Sequence, residues 1–270
     1  MLRLALAALL LPFALAGCES TPEPDDLASR LDARYAEGLG TLESFHVYAA
    51  GTSLYYIGAE DSTGARTFEL TPDPDAVAPY DPIAASLLRF YPPNPRYLAS
   101  RIDPARVRGP VERNGAQTVV FESETPQDAG FVPVPGTTNH LVRVYFDAET
   151  LDVRELFHRF SVDSLDRPVA QRLIYDDFRG VADGVRLPFR VTQIQEGPIP
   201  SSEAATVQGA QLAIREQTAR LLPPSVRRQQ ELIDIERAKR LLTEGVREVE
   251  LRVDSVLTNV PAPPPALPAE

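Results

Sequence analysis

Apolar positions recur along this chain at two different periods, and the alternation of those periods predicts its elements. Between Asp26 and Leu39, the residues Leu27, Leu31 and Tyr35 fall at four-residue spacing, which puts them on one face of a helix. Asp26 is placed to cap its start, and Gly38 or Gly40 to end it. From Phe45 to Ile57 aromatic and β-branched residues crowd together, predicting one or two strands. A shorter strand, Arg66 to Leu70, follows the turn Ser62-Thr63-Gly64. Asp81-Pro82 reads as a cap followed by proline in the first helical turn. That helix is expected to stop near Phe90, because Pro92, Pro93 and Pro95 cannot continue it.

The middle of the chain changes to short strands and tight turns. Ala105 to Val111 and Gln117 to Ser123 flank Glu112-Arg113-Asn114-Gly115, and Asn-Gly is a strong hairpin signal. Strands are expected at Leu141–Phe146, Val153–Val162, Val169–Phe178 and Val185–Ile194. The turns between them are Asp147–Thr150, Asp163–Asp166 and Asp183-Gly184. In the last strand Val185, Leu187, Phe189 and Val191 alternate with Arg186, Pro188, Arg190 and Thr192, the period of two that half-buries a strand. Four strands joined this way form an antiparallel meander.

The period then returns to that of a helix. Ser201 to Leu222 carries Val207, Ala210, Ile214, Thr218 and Leu221 along one stripe, and Pro223-Pro224 breaks it. Ser225 can cap a second helix with the stripe Ile235, Ala238 and Leu242, ended by Gly245. From Glu248 to Leu257 the alternation resumes through Val249, Leu251 and Val253. Residues 201–245 therefore read as a helical hairpin inserted before a closing strand at 246–260. Residues 261–270, rich in proline, read as a disordered or polyproline tail.

The first residues belong to a different class. Met1-Leu2-Arg3 is followed by an uncharged run from Leu4 to Ala16, which fits a signal peptide and is too short for a membrane span of ~20 residues. The run ends Leu15-Ala16-Gly17-Cys18, the pattern of a bacterial lipobox. This predicts a signal peptide over residues 1–17, lipidation of Cys18, and a polar tether through residue 25. More than one acyl chain is needed for stable attachment. Cys18 is the only cysteine, so lipidation leaves no thiol for a disulfide or a metal. Glu19 leans towards the outer membrane over inner-membrane retention. The formal charge of −11 disfavours nucleic acid and anionic headgroups as partners, since both repel an acidic protein. The 26 prolines point to many loops and strand edges.

Two segments carry a family resemblance. Val144-Tyr145-Phe146-Asp147-Ala148-Glu149-Thr150-Leu151-Asp152-Val153-Arg154 resembles the strand, Asp-x-x-Thr turn and strand of LolA-like lipoprotein-sorting and carrier proteins. The stretch from Tyr175 through Asp176, Phe178, Arg179, Val181, Gly184 and Val185 to Leu187-Pro188 is similar to their next strand pair. The resemblance spans roughly residues 27–200 and 246–260, and the phenylalanine usual after Asn259 is missing. It implies an α+β fold, an antiparallel half-barrel over residues 26–200 (LolA/LolB-like) covered by helices, in which an apolar hollow binds acyl chains or other amphiphiles. The lipobox makes this chain closer to the anchored, receptor-like branch, and the helical hairpin is an addition to the basic fold.

Candidate chemistry is sparse. His46, His140 and His158 show no ligand spacing, so no metal is implied, and no motif calls for a cofactor. No nucleophile elbow or phosphate-binding glycine loop occurs, and Gly51-Thr52-Ser53 reads as a bend. Asp176 and Asp177, adjacent in a strand, are expected on opposite faces. No catalytic residues emerge. The face of Val185, Leu187, Phe189 and Val191 is the expected ligand surface, with an ordinary core covered by the chain's own helices as the other reading. Two functions follow: a lipid-anchored envelope protein binding an acyl chain or hydrophobic ligand, or a non-enzymatic scaffold with a filled core and an unknown protein partner.

Overall fold

A computed structural model describes residues 26–60, 66–73, 76–163, 165, 167–199 and 201–261. The expected signal peptide, Cys18 and the expected tether (residues 1–25), the Ser62–Gly64 turn and residues 262–270 lie outside the described residues. Among the described residues, ten strands form one antiparallel sheet in the order β3-β2-β1-β10-β9-β8-β7-β6-β5-β4. They are β1 (Ser44–Ala49), β2 (Thr52–Glu60), β3 (Arg66–Pro72), β4 (Val107–Arg113), β5 (Ala116–Ser123), β6 (Thr137–Asp147), β7 (Val153–Val162), β8 (Val169–Ala182), β9 (Val185–Glu196) and β10 (Val246–Thr258). The strands β3 and β4 end the sheet without meeting, so it is open and half-barrel-like. Among the described residues, the one pairing between strands not adjacent in sequence is β1 with β10, with Phe45 opposite Thr258. The architecture is α+β, as the alternating periods imply.

Local chemistry explains the turns. Asn114 and Gly115 have φ of 50° and 77°, the paired left-handed geometry of a type I′ hairpin. Ala50 and Gly51 repeat it between β1 and β2 with φ of 52° and 77°, so Phe45–Ile57 forms two strands. In the Asp-x-x-Thr turn, the Asp147 carboxylate accepts from the backbone N–H of Glu149 (3.1 Å) and Thr150 (2.9 Å). It also accepts from Arg154 at 2.7 Å. The aspartate thus satisfies the turn's own donors.

Among the described residues, five α-helices accompany the sheet: α1 (Leu27–Glu37), α2 (Pro82–Ala85), α3 (Pro95–Ala99), α4 (Ser202–Leu221) and α5 (Val226–Glu244). Leu27, Leu31 and Tyr35 of α1 are buried as their spacing predicts, although Asp26 makes no side-chain cap bond. Asp81 does cap α2, accepting from Ala84 N–H at 2.9 Å. A 3-10 turn then extends α2 to Phe90. The helix α3 escapes the pattern, yet Asn94 accepts from Tyr97 N–H at 3.1 Å with Pro95 in the first turn. One apolar core joins α1, the 3-10 turn (Leu87, Leu88) and Leu98 of α3 to the inner faces of β1, β5, β6, β8, β9 and β10.

The helical hairpin lies between β9 and β10. Ser201 and Ser225 cap its helices through Ala204 and Arg228 N–H. Ile235 of α5 is buried, with Ala238 and Leu242 partly so. The expectation fails on α4, where Val207, Ile214 and Leu221 are 56%, 66% and 86% exposed. Leu212 and Ala219 are buried instead. Polar bonds cross between the helices, Arg215 to Glu231 at 2.7 Å and Lys239 to Glu216 at 2.6 Å. Leu212, Ala219 and the ion pairs lie on the covered side of α4, leaving the stripe of Val207, Ile214 and Leu221 towards solvent. Among the described residues, no helix is long and apolar enough to cross a membrane.

Candidate functional site

Val185, Leu187, Phe189 and Val191 are all buried, Phe189 the most exposed at 9%. They belong to the continuous core. Val185 and Leu187 also edge a narrow groove of about 40 Å³, facing Tyr35, Leu39, Pro92 and Pro93. The face expected to line a hollow is thus packed against the chain's own α1 and proline segment, and the open space lies elsewhere.

One such space is a cavity of about 210 Å³ towards the β3 end of the sheet. Tyr35 and Leu39 come from α1 and the turn after it, Tyr56 from β2, and Phe68 and Leu70 from β3. Leu88, Arg89, Tyr91, Pro92 and Asn94 close it from the segment between α2 and α3. The aromatic wall is ordered: Phe45 stacks on Tyr56 with centroids 4.5 Å apart and meets Phe68 edge-on at 4.9 Å. Tyr56 and Tyr91 sit edge to face at 6.5 Å. Arg89 is exposed at the rim, its guanidinium 4.5 Å over the Phe90 ring.

Hydroxyl groups separate the tyrosines. Tyr56 Oη donates to the Leu88 carbonyl at 3.0 Å, and Tyr175 Oη to the Phe90 carbonyl at 2.9 Å. Two strands far apart in the sheet thereby hold one short segment. Tyr91, 3% exposed, has no hydrogen-bond partner for its hydroxyl among the described residues. Burial pushes the pKa of all three phenols well above the ordinary tyrosine value, so each stays protonated. A second space of about 160 Å³ adjoins Phe90, Tyr97, Leu98, Ala129 and Tyr175.

The histidines fall into two settings. His140 Nδ1 lies 3.1 Å from His158 Nε2 across β6 and β7, so one ring donates and the other accepts. His158 also packs between Phe131 and Phe160, each centroid 4.9 Å away. Burial, with His140 beside it, lowers its pKa to about 4. The pairing has a faint trace in the sequence, since positions 140 and 158 straddle the Asp147–Thr150 turn. Among the described residues no three His, Cys, Asp or Glu side chains gather as a metal site.

His46 is buried and stacked on Tyr55 at 3.7 Å. Its Nε2 lies 3.2 Å from the Asp73 carboxylate but is not aligned for a hydrogen bond. Burial lowers its pKa against the pull of Asp73. Ser53 Oγ donates to the same Asp73 oxygen at 2.6 Å. The carboxylate therefore stands between serine and histidine, the wrong order for a base-activated nucleophile. Asp176 pairs with Arg190, and Asp177 with Arg179, so each carboxylate is engaged by its own cation. No family model, curated protein or solved structure matches the chain.

Proposed function

We propose that this chain is a lipoprotein of the bacterial envelope, anchored through Cys18, that binds an acyl chain or similar amphiphile in its open β sheet. The observation that carries the reading is the aromatic-walled cavity of about 210 Å³. It lies below the ~300–1,000 Å³ of a usual small-molecule site, so it suits the end of a chain better than a whole lipid. Apolar walls favour hydrocarbon by ~25 cal/mol per Å² removed from water. The lipobox Leu15-Ala16-Gly17-Cys18 supports anchoring, and the resemblance to LolA-like proteins supports a role in lipoprotein or lipid sorting at the outer membrane. The chain acts by binding, not by catalysis. The test is native mass spectrometry of the full chain purified from a bacterial envelope. Co-purified lipid removable by extraction supports the reading. A bare mass, unchanged after incubation with lipopeptides, removes it.

Two observations favour a second reading. The predicted ligand face is filled, and α4 presents an uncovered stripe of Val207, Ile214 and Leu221. A scaffold that docks an envelope protein through that stripe accounts for both. Loss of a co-purifying protein in an Ile214→Glu variant, with no lipid bound by either form, would favour it.

A further inference from the structure

Resting on the reading of the 210 Å³ cavity as an amphiphile site, we infer that the Tyr91 hydroxyl is its polar anchor, and that the ligand offers it an uncharged acceptor, the carbonyl of an acyl ester or amide. Tyr91 lines the cavity and is 3% exposed, with no partner for Oη among the described residues. A buried donor left unmade is costly, and native structures retain few of them. The neighbouring hydroxyls show the contrast. Tyr56 and Tyr175 are equally enclosed, yet each donates to a backbone carbonyl. Tyr91 is the one of the three with its donor free for something else.

The surroundings select the class of acceptor. Leu39, Phe68 and Leu88 supply hydrocarbon beside the phenol. A carboxylate drawn in there loses its hydration, and one neutral donor does not replace it. Arg89 lies exposed at the rim, where it meets a headgroup and leaves the interior uncharged. An ester or amide carbonyl costs far less to desolvate than a charge, and the hydrogen bond from Tyr91 offsets that cost. Burial keeps Tyr91 a neutral donor across the physiological range.

The experiment compares methyl octanoate, octane and sodium octanoate at pH 8 by equilibrium dialysis with gas-chromatographic detection. The protein is the full chain with Cys18→Ser, with and without Tyr91→Phe. Uptake by the rest of the molecule is common to both and cancels. The expected result is that the Tyr91 form prefers the ester over the alkane by about tenfold, and over the carboxylate by at least as much. Tyr91→Phe abolishes the preference and holds alkane affinity within about twofold. Tyr175→Phe, outside this cavity and with its hydroxyl already committed to the Phe90 carbonyl, keeps the preference. Ester preference surviving Tyr91→Phe, or tighter binding of octanoate, overturns the anchor and leaves the cavity reading standing. Failure of the Tyr91 form to bind octane or ester above the level of a cavity-filling Leu88→Phe variant overturns both.

Discussion

Glu155 on β7 and Arg172 on β8 meet as a two-bond fork on the sheet, with Arg172 Nε and one terminal nitrogen 2.8 and 3.2 Å from the carboxylate oxygens. Arg113 approaches the same carboxylate at 3.0 and 2.8 Å, and Asn114 adds a bond at 3.2 Å. The Glu155 side chain is fully enclosed. Burial alone would raise its pKa, but the hydrogen bonds and charges of Arg172 and Arg113 outweigh it and hold the group below the ordinary glutamate value. The cluster ties the Asn114-Gly115 turn, beside β4, to the centre of the meander.

Removing the charge breaks a buried pair and leaves two guanidinium groups facing a neutral amide. Glu155→Gln is expected to destabilise the fold by about 3 kcal/mol, the lower end for such pairs because both arginines keep partial water contact. Urea unfolding checks this: the midpoint falls while the slope is unchanged. A midpoint equal to wild type would mean the forks contribute nothing net.

The His140–His158 contact gives the fold a pH dependence of definite sign. His158 titrates at about 4 when folded against ~6.5 when unfolded. Its contribution is therefore fully present above pH 6.5 and is lost as pH falls through 4. The difference amounts to roughly 3 kcal/mol. His46, also lowered by burial, adds to it with the same sign. The loss begins above the range in which the carboxylates titrate, so stability should already decline between pH 6.5 and 5. His158→Phe, packed between Phe131 and Phe160, should flatten that part of the curve. An identical decline in the variant would assign it elsewhere.

The three buried tyrosines should respond oppositely to loss of a hydroxyl. Tyr56→Phe and Tyr175→Phe each strand a backbone carbonyl, and each should cost about 1 kcal/mol. Tyr91→Phe deletes a donor that has no protein partner and should be neutral or stabilise by up to about 1 kcal/mol. Thermal melts of the three ligand-free variants decide the matter. A fall for Tyr91→Phe as large as the others would show that its hydroxyl is structurally engaged.

The meander was legible because each strand carries its own signature. Asn114-Gly115 writes a type I′ turn in two letters, and Val185 to Val191 alternate over seven residues. Helix α3 was missed: Asn94-Pro95 marks its start, but the run of prolines reads more readily as an ending. On α4 the pattern misleads. A hydrophobic stripe says which face is apolar, not whether anything covers it, and α5 meets the face of Leu212 and Ala219. The cavity left no local trace. Tyr35, Tyr56, Phe68 and Tyr91 come from four separate segments, which the β2–β3 pairing, the shared core and the Tyr56–Leu88 bond bring together.

The join between the hairpin and the sheet rests on one backbone position. Gly245 ends α5 in the left-handed region, φ 69°, and its N–H is bonded to the Leu241 carbonyl at 3.1 Å. Its own carbonyl accepts from Gly197 N–H at 2.9 Å just past the end of β9. A Cβ at 245 would stand 2.5 Å from the Gly197 carbonyl oxygen, a backbone atom with little room to give. Gly245→Ala therefore combines the left-handed cost of about 1 kcal/mol with a steric displacement of the β9 end. The expected loss is about 2–3 kcal/mol, read as a melting temperature lower by roughly 5–10 °C for a domain of this size. Gly209→Ala, inside α4 where an added Cβ meets nothing within 4 Å, should instead stabilise by up to about 1 kcal/mol. The opposite signs separate a conformational requirement at Gly245 from a general intolerance of change in the hairpin, and equal losses at both positions would refute the argument.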